Sequence, residues 1–142
     1  AGTGIQHSEY NKNKDSTVKF LQIWVFPNKK NVTPRYDQIS IKEEDRHNKL
    51  QQILSPNAAD EGVWIHQDAW FHLADFEAVF SKQYEVKKEG NGMYVFVISG
   101  TITVDGQELE TRDGLGITAF KTLDIKATTD AKFLLMEIPM SY

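Results

Sequence analysis

The sequence of 142 residues contains no cysteine, which excludes a disulfide framework and a thiol nucleophile. A chain without thiols fits a reducing compartment, and we expect the protein in the cytoplasm. No apolar run approaches the ~20 residues that a membrane-spanning helix needs, so we expect no membrane partner. The N-terminus has neither a signal peptide nor a starting methionine, and we expect a processed or truncated product.

The chain also lacks the features of several common functional classes. Its formal net charge of −4 argues against direct nucleic-acid binding. The lysine pairs at 29–30 and 87–88 are interpreted as solvated turns. There is no glycine-rich phosphate loop, and neither Ser8 nor Ser99 has the setting of a nucleophile elbow. Hydrolase chemistry and phosphate binding through such a loop are therefore unsupported.

Turn signals alternate with short segments rich in β-branched and aromatic residues along the whole chain. This spacing predicts an all-β sandwich or barrel. Asp105-Gly106 can supply the two positive φ values of a type I′ turn, which predicts a tight hairpin over 101–109. The charged segment 42–48 is compatible with a helical turn. The other predicted strands are 5–10, 18–26, 49–54, 63–66, 69–73, 78–86, 93–98, 115–118, 123–127 and 132–138. The strand 18–26 is nearly all apolar, which predicts cover on both faces.

His7 and Glu9 lie two residues apart in a segment predicted to be a strand. Side chains at positions i and i+2 of a strand point to the same face. An imidazole and a carboxylate on one side are suitable ligands for a transition metal. The alternative interpretation is that His7-Ser8-Glu9 is an exposed polar segment whose two outer side chains pair with each other.

The surroundings of His7 carry a family resemblance. Gly4, His7 and Asn11 have the spacing G-x2-H-x3-N, which resembles the second half of the second cupin motif. The string AGTGIQHSE at 1–9 is similar to the corresponding stretch of pirins and pirin-like quercetinases. Further segments resemble the connecting segment and the C-terminal half of that family: LQIWVFP at 21–27, PRYDQ at 34–38, LQQILSP at 50–56 and IHQDA at 65–69.

The resemblance implies a bicupin, in which two small jelly-roll barrels of the double-stranded β-helix type follow one another. Residues 1–40 would be the terminal strands and connecting segment of an incomplete N-terminal cupin. Residues 41–142 would be the C-terminal cupin-like barrel. The family carries a mononuclear iron in the N-terminal barrel, and by this resemblance His7 and Glu9 are two of its ligands.

The resemblance further implies that the intact parent is a quercetin 2,3-dioxygenase, which opens a flavonol ring with O₂. Fe(II) would be its cofactor, and Glu9 would also accept the proton of the flavonol hydroxyl. Two further histidines of the family, in a His-x-His pair, have no counterpart in this sequence. We therefore expect this chain alone to bind no metal stably and to be inactive. The alternative is an iron-linked regulatory protein without catalysis, because pirin relatives of nucleated cells resemble transcription cofactors.

The second barrel is predicted to hold no metal. When the cupin motifs are anchored on Gly100 and Gly114, their ligand positions fall on residues that do not form an iron site: Lys87, Glu89, Met93 and Ile125. The pirin family likewise places no metal there.

Several other polar or aromatic residues are interpreted as structural. His66 and His72 have no third donor nearby in sequence, and His47 is predicted to be exposed. Asp68 and Asp75 could do acid–base chemistry only within a cleft. The three tryptophans Trp24, Trp64 and Trp70 could line an aromatic pocket, but strand tryptophans usually pack in cores or interfaces.

The predicted strands 5–10 and 18–26 would expose apolar faces and open edges. We expect them to pack onto residues 41–142 of the same chain or to exchange with a second chain, which predicts a homodimer through 5–26.

Overall fold

The computed structural model describes residues 2–141, which contain one short helix and ten strands. The elements are α1 (Glu43–Arg46), β1 (Gln51–Ser55), β2 (Val63–Trp64), β3 (Trp70–Phe76), β4 (Ser81–Glu85), β5 (Asn91–Ser99), β6 (Ile102–Val104), β7 (Gln107–Leu109), β8 (Gly114–Ile117), β9 (Thr122–Ala127) and β10 (Ala131–Pro139). The prediction of an all-β protein is confirmed.

The strands form two sheets that face each other. The larger sheet has the order β2-β1-β3-β10-β5-β8 and the smaller sheet the order β4-β9-β6-β7. The pairs are antiparallel except for β1 with β2, which is parallel. Strand β10 lies between β3 and β5, so Glu137 is flanked by Trp70 on one side and Met93 on the other.

The core follows from strand alternation. In β9 the apolar residues Leu123, Ile125 and Ala127 are fully buried, while the residues between them are exposed. Phe133 and Leu135 of β10 pack with them between the two sheets. The opposite face of β10 and β3 carries a second, smaller cluster on the outside of the larger sheet, formed by Ala69, Phe71, Leu134 and Met136.

Most predicted strands after residue 49 appear within a few residues of their predicted bounds. The hairpin is confirmed, since Asp105 and Gly106 both have positive φ, of 47° and 83°. The helical turn is also present, and Arg46 Nε donates to Asp75 Oδ2 at 2.8 Å, which fixes α1 to β3. No helix within residues 2–141 is both long enough and apolar enough to span a membrane.

The predictions of strands at 5–10 and 18–26 are wrong. A strand requires a hydrogen-bonded neighbour, and within residues 2–141 neither segment pairs with another strand. The predicted cover on both faces is also wrong, since Phe20 and Trp24 are 65% and 79% exposed.

Residues 25–28 of the N-terminal segment, the part of the described chain before α1, contact the two-sheet domain. Val25 packs against the outer apolar cluster. Gln67 Nε2 donates to the Phe26 carbonyl oxygen at 2.8 Å, and the Asn28 amide donates to the His66 carbonyl oxygen at 2.7 Å. These contacts dock residues 25–28 onto the chain between β2 and β3.

Candidate metal centre

His7 and Glu9 converge as their spacing predicts, although the segment is not a strand. His7 Nε2 lies 3.7 Å from Glu9 Oε1, and the two side chains are 57% and 53% exposed. Both donor groups are therefore open to solvent on the same side of the backbone. The alternative interpretation, an exposed polar pair, has the same geometry.

A second exposed His–Glu pair shows that this geometry does not by itself identify a metal site. His47 Nε2 lies 3.5 Å from Glu77 Oε1, with side-chain exposures of 58% and 64%. Distance and exposure do not distinguish the two pairs, so the metal hypothesis for His7 and Glu9 depends on their sequence context. The pair at 47 and 77 is consequently a matched control for experiments.

The donor set is appropriate for a metal but small. An imidazole nitrogen and a carboxylate oxygen suit divalent iron or nickel. Residues 2–141 contain no group of three or more histidine, cysteine, aspartate or glutamate side chains placed to hold an ion. His7 and Glu9 thus fit as part of a ligand set that needs further donors, and nothing in the described chain completes it.

The interior between the two sheets contains a buried carboxylate. Glu137 is fully buried, and its two oxygens accept four hydrogen bonds. The donors are the Tyr84 hydroxyl at 2.7 Å, the Lys87 amide at 2.8 Å, the Lys88 amide at 2.9 Å and Asn91 Nδ2 at 2.8 Å. Because these donors share its two oxygens, Glu137 is a structural acceptor that holds the β4–β5 loop.

Two titratable side chains lie near this carboxylate: Tyr84, which donates to it, and His72, which packs against Tyr84. Burial, the hydrogen bond to Glu137 and the charge of that carboxylate all raise the pKa of Tyr84, so its phenol stays protonated. Burial, assisted by the positive charge of Lys87, lowers the pKa of His72 to about 4. The His72 ring meets the Tyr84 ring edge-on at 5.2 Å, and its Nδ1 has no hydrogen-bond partner within the described chain.

The positions predicted to lack metal ligands can be placed in this barrel. Met93 and Ile125 are buried in the core, whereas Lys87 and Glu89 are exposed. Met93 lies directly beside Glu137 across the β5–β10 ladder. A barrel without metal at these positions stays a prediction.

The remaining candidates have structural partners. Asp68 forms an ion pair with Lys88, and Asp75 is paired with Arg46. Trp64 packs edge-on against His66 at 4.9 Å and beneath the guanidinium of Arg35.

Sequence reasoning missed Glu137 and Arg35. Glu137 could have been noticed, because it is the single charged residue in the run FLLMEIP and shares strand parity with Phe133 and Leu135. Arg35 carried no comparable signal, since an arginine beside a proline in a polar segment is ordinary.

Two facing sheets with this strand order define a cupin-type protein, and the predicted cupin fold is confirmed by comparison with solved structures. The chain matches the crystal structure of YhhW from Escherichia coli with a TM-score of 0.76 and 26% identity, over 84% of this chain and 49% of that one. A second match is the bacterial pirin YhhW from Escherichia coli in complex with nickel(II), with a TM-score of 0.72 and 26% identity, over 80% of this chain and 47% of that one.

Residues 52–138 match the family described as the quercetinase C-terminal cupin domain, and the chain belongs to this family. The chain is also similar to individual proteins over part of their length. The quercetin 2,3-dioxygenase of Escherichia coli (strain K12) is 34% identical over 98% of this chain and 58% of that protein. A pirin-like protein of Caulobacter vibrioides is 30% identical over 96% of this chain and 59% of that protein. The chain therefore spans somewhat more than half the length of these relatives.

Proposed function

We propose that this chain contributes to a metal-dependent dioxygenase of the quercetin 2,3-dioxygenase type, with His7 and Glu9 as two ligands of one metal ion. The observation that carries the proposal is the sequence context of these two side chains, in a chain 34% identical to a quercetin 2,3-dioxygenase. Their separation of 3.7 Å is compatible with a shared ion. The remaining ligands would come from outside the described residues. Residues 1–40 would then be the terminal and connecting segment, and residues 41–142 a barrel without metal.

The proposed site assigns distinct roles to the two side chains. The His7 imidazole is a neutral donor, and the Glu9 carboxylate would supply negative charge to a divalent ion. A bound metal ion would polarise the substrate and provide an open position for O₂. Glu9 would also accept the proton of a flavonol hydroxyl, which is consistent with its exposure. Iron(II) is the proposed metal, and the nickel(II) complex of YhhW supports metal use in a related structure.

Metal content measured by mass spectrometry tests the site. We compare this chain with a longer form that carries an upstream His-x-His pair, both purified with Fe(II) present. The longer form should bind about one equivalent, and His7→Ala or Glu9→Gln should reduce that occupancy by at least tenfold. His47→Ala and Glu77→Gln, in the matched pair, should change nothing. Stoichiometric iron in the short chain would contradict the expectation that its ligand set is incomplete.

Oxygen uptake tests the reaction separately. The longer form, loaded with Fe(II), should consume O₂ in the presence of quercetin, and Glu9→Gln should abolish this consumption. Iron binding without O₂ uptake with any flavonol would refute the dioxygenase assignment while leaving the metal site intact.

The exposed apolar residues of the N-terminal segment favour a second candidate function, protein binding. Phe20, Trp24 and Phe26 are each at least 65% exposed, which is unusual for side chains of this size. A second copy of this chain is the proposed partner, through residues 5–26. Sedimentation at increasing concentration should show a dimer that Phe20→Ser together with Trp24→Ser abolishes, and a monomer at all concentrations would refute it.

A further inference from the structure

A cavity of about 250 Å³ lies between the docked part of the N-terminal segment and residues 63–67, which comprise β2 and the chain after it. One wall is apolar and comes from Val25, Pro27, Val32 and Pro34. The facing wall includes Trp64 and Ile65. Neither His7 nor Glu9 lines this cavity, so it is a site separate from the candidate metal centre.

The polar lining consists of Arg35 and Asp37 together with Thr33, Tyr36, His66 and Gln67, and within it Arg35 forms an ion pair with Asp37. The Arg35 guanidinium carbon lies 4.1 Å from the centre of the Trp64 ring, and Nη1 donates to the Trp64 carbonyl oxygen. Nη2 donates to Asp37 Oδ2 at 3.0 Å. These three contacts hold the guanidinium in one orientation, which lowers the ordering cost of a further contact. Of its five N–H donors, three are left after these two hydrogen bonds.

The charge of this pair restricts the class of ligand. Arg35 and Asp37 carry opposite charges at hydrogen-bond distance, so this pair has no net charge. An anion would be attracted by Arg35 but repelled by the adjacent Asp37 carboxylate. A group that both donates and accepts a hydrogen bond, such as a hydroxyl, satisfies both residues. The site therefore favours a neutral hydroxyl compound.

The volume of the cavity and its apolar walls restrict the size and shape of the ligand. Drug-sized molecules occupy pockets of about 300–1,000 Å³, so a cavity of about 250 Å³ takes a smaller molecule. Proline, valine and tryptophan surfaces favour a flat apolar body. Arg35 and Asp37 are 29% and 41% exposed, so a ligand reaches them from solvent without an opening motion.

We propose that this cavity binds a small uncharged phenol, a single aromatic ring whose hydroxyl donates to the Asp37 carboxylate and accepts from the Arg35 guanidinium. The ring packs between Pro34, Val32 and Trp64. Because the cavity is built from both the N-terminal segment and the barrel, an occupied cavity also stabilises the docking of residues 25–37. The inference does not rest on the proposed dioxygenase function.

The indole N–H signals of the three tryptophans test the proposal in ¹H–¹⁵N spectra of this chain titrated with phenol. Trp64 lines the cavity, while Trp24 and Trp70 do not. Phenol should shift the Trp64 signal saturably, with a Kd of about 1 mM. Phenol should also raise the Tm, because it binds only the folded form. Shifts of all three indoles without saturation would overturn the proposal.

Matched variants test the proposed hydrogen bonds of Arg35 and Asp37 to the phenol hydroxyl. Arg35→Gln and Asp37→Asn should each weaken phenol binding about tenfold or more, because each removes a hydrogen bond to a charged group. Arg112→Gln and Asp15→Asn, at exposed positions outside the cavity, should bind as the unaltered chain does. Circular dichroism and thermal unfolding establish that the variants fold. Unchanged binding by a folded Arg35→Gln variant would refute the assigned contacts.

Benzoate separates the proposed ligand class from an anion site, since it has the same ring and a negative charge. It should bind more weakly than phenol, and tighter binding of benzoate would overturn the neutral-ligand assignment. The double variant His7→Ala with Glu9→Gln should bind phenol normally. Loss of phenol binding there would contradict a site separate from the metal centre, whereas loss of metal alone would leave this proposal standing.

Discussion

The Tyr84 hydroxyl donates a hydrogen bond of 2.7 Å to Glu137 Oε2 and so joins the two sheets across the interior of the barrel. Tyr84 belongs to β4 of the smaller sheet, and Glu137 belongs to β10 of the larger one. The same carboxylate accepts the amides of Lys87 and Lys88, which follow β4. One buried side chain thus ties together both sheets and the loop between β4 and β5.

This arrangement predicts a large effect of Glu137→Gln on stability. An amide at this position would turn an N–H group toward backbone N–H donors and leave buried donors unsatisfied. We expect a loss of about 3 kcal/mol in the free energy of unfolding. Tyr84→Phe removes one donor of four and should cost about 1 kcal/mol.

Urea unfolding measures both effects. Glu89→Gln is the control, because it makes the same change in the same loop at an exposed position and should alter stability by less than about 0.5 kcal/mol. Equal effects of Glu89→Gln and Glu137→Gln would contradict the role assigned to the buried carboxylate.

His72 predicts a specific pH dependence of stability. Its pKa is lowered from an ordinary value of 6.5 to about 4, first by burial and then by the charge of Lys87. The unfolded chain therefore binds more protons than the folded chain between pH 6.5 and about 4. Stability from this residue is complete above pH 6.5 and falls as the pH drops toward 4. The difference in pKa corresponds to about 3 kcal/mol.

Unfolding free energies at several pH values between 4 and 7 test this dependence. Other acidic groups also titrate in this range, so the useful quantity is the difference between the unaltered chain and His72→Leu. That difference should change by a few kcal/mol across the window. A flat difference for His72→Leu would show that His72 titrates alike in both states.

The sequence predicts the strands after residue 49 because turns bound them and alternation fixes their faces. Strand β9 is the clearest example, with burial alternating at every residue. The failure at 18–26 has a physical reason. An apolar pattern indicates which side chains are stabilised by burial. A strand also needs a hydrogen-bonded neighbouring strand, and the described chain provides none for 18–26.

The candidate metal ligands and the buried carboxylate Glu137 differ in how far the sequence predicts their surroundings. The convergence of His7 and Glu9 is local, because the two residues are two positions apart. The environment of Glu137 is not local, since two of its donors are backbone amides about 50 residues earlier in the chain. Backbone amides carry no sequence signature, so this cluster could be seen only in the folded structure.

The backbone conformation of Val79 predicts that replacing it with glycine stabilises the protein. It has a φ of 66°, which is strongly disfavoured for a β-branched residue, and its side chain is 77% exposed. Val79→Gly should therefore relieve strain without losing packing and raise the free energy of unfolding by about 1 kcal/mol. Val79→Ala keeps the Cβ at positive φ and should gain less. Destabilisation by Val79→Gly in urea unfolding would contradict this conformation.

Alanine substitutions at Gly100 and Gly106 distinguish the cost of backbone strain from the cost of steric overlap. The φ values of these glycines, 82° and 83°, are nearly equal, so the positive φ imposes a similar penalty, about 1 kcal/mol, on an alanine at either position. A Cβ at Gly106 meets no atom within 4 Å, whereas one at Gly100 would lie 2.1 Å from the Asp130 carbonyl oxygen. Gly100→Ala should consequently destabilise the fold by clearly more than Gly106→Ala. Because the backbone penalty is shared, the difference between their unfolding free energies measures the displacement of the turn before β10. Equal losses of unfolding free energy for the two variants would mean that this turn shifts without a free-energy cost.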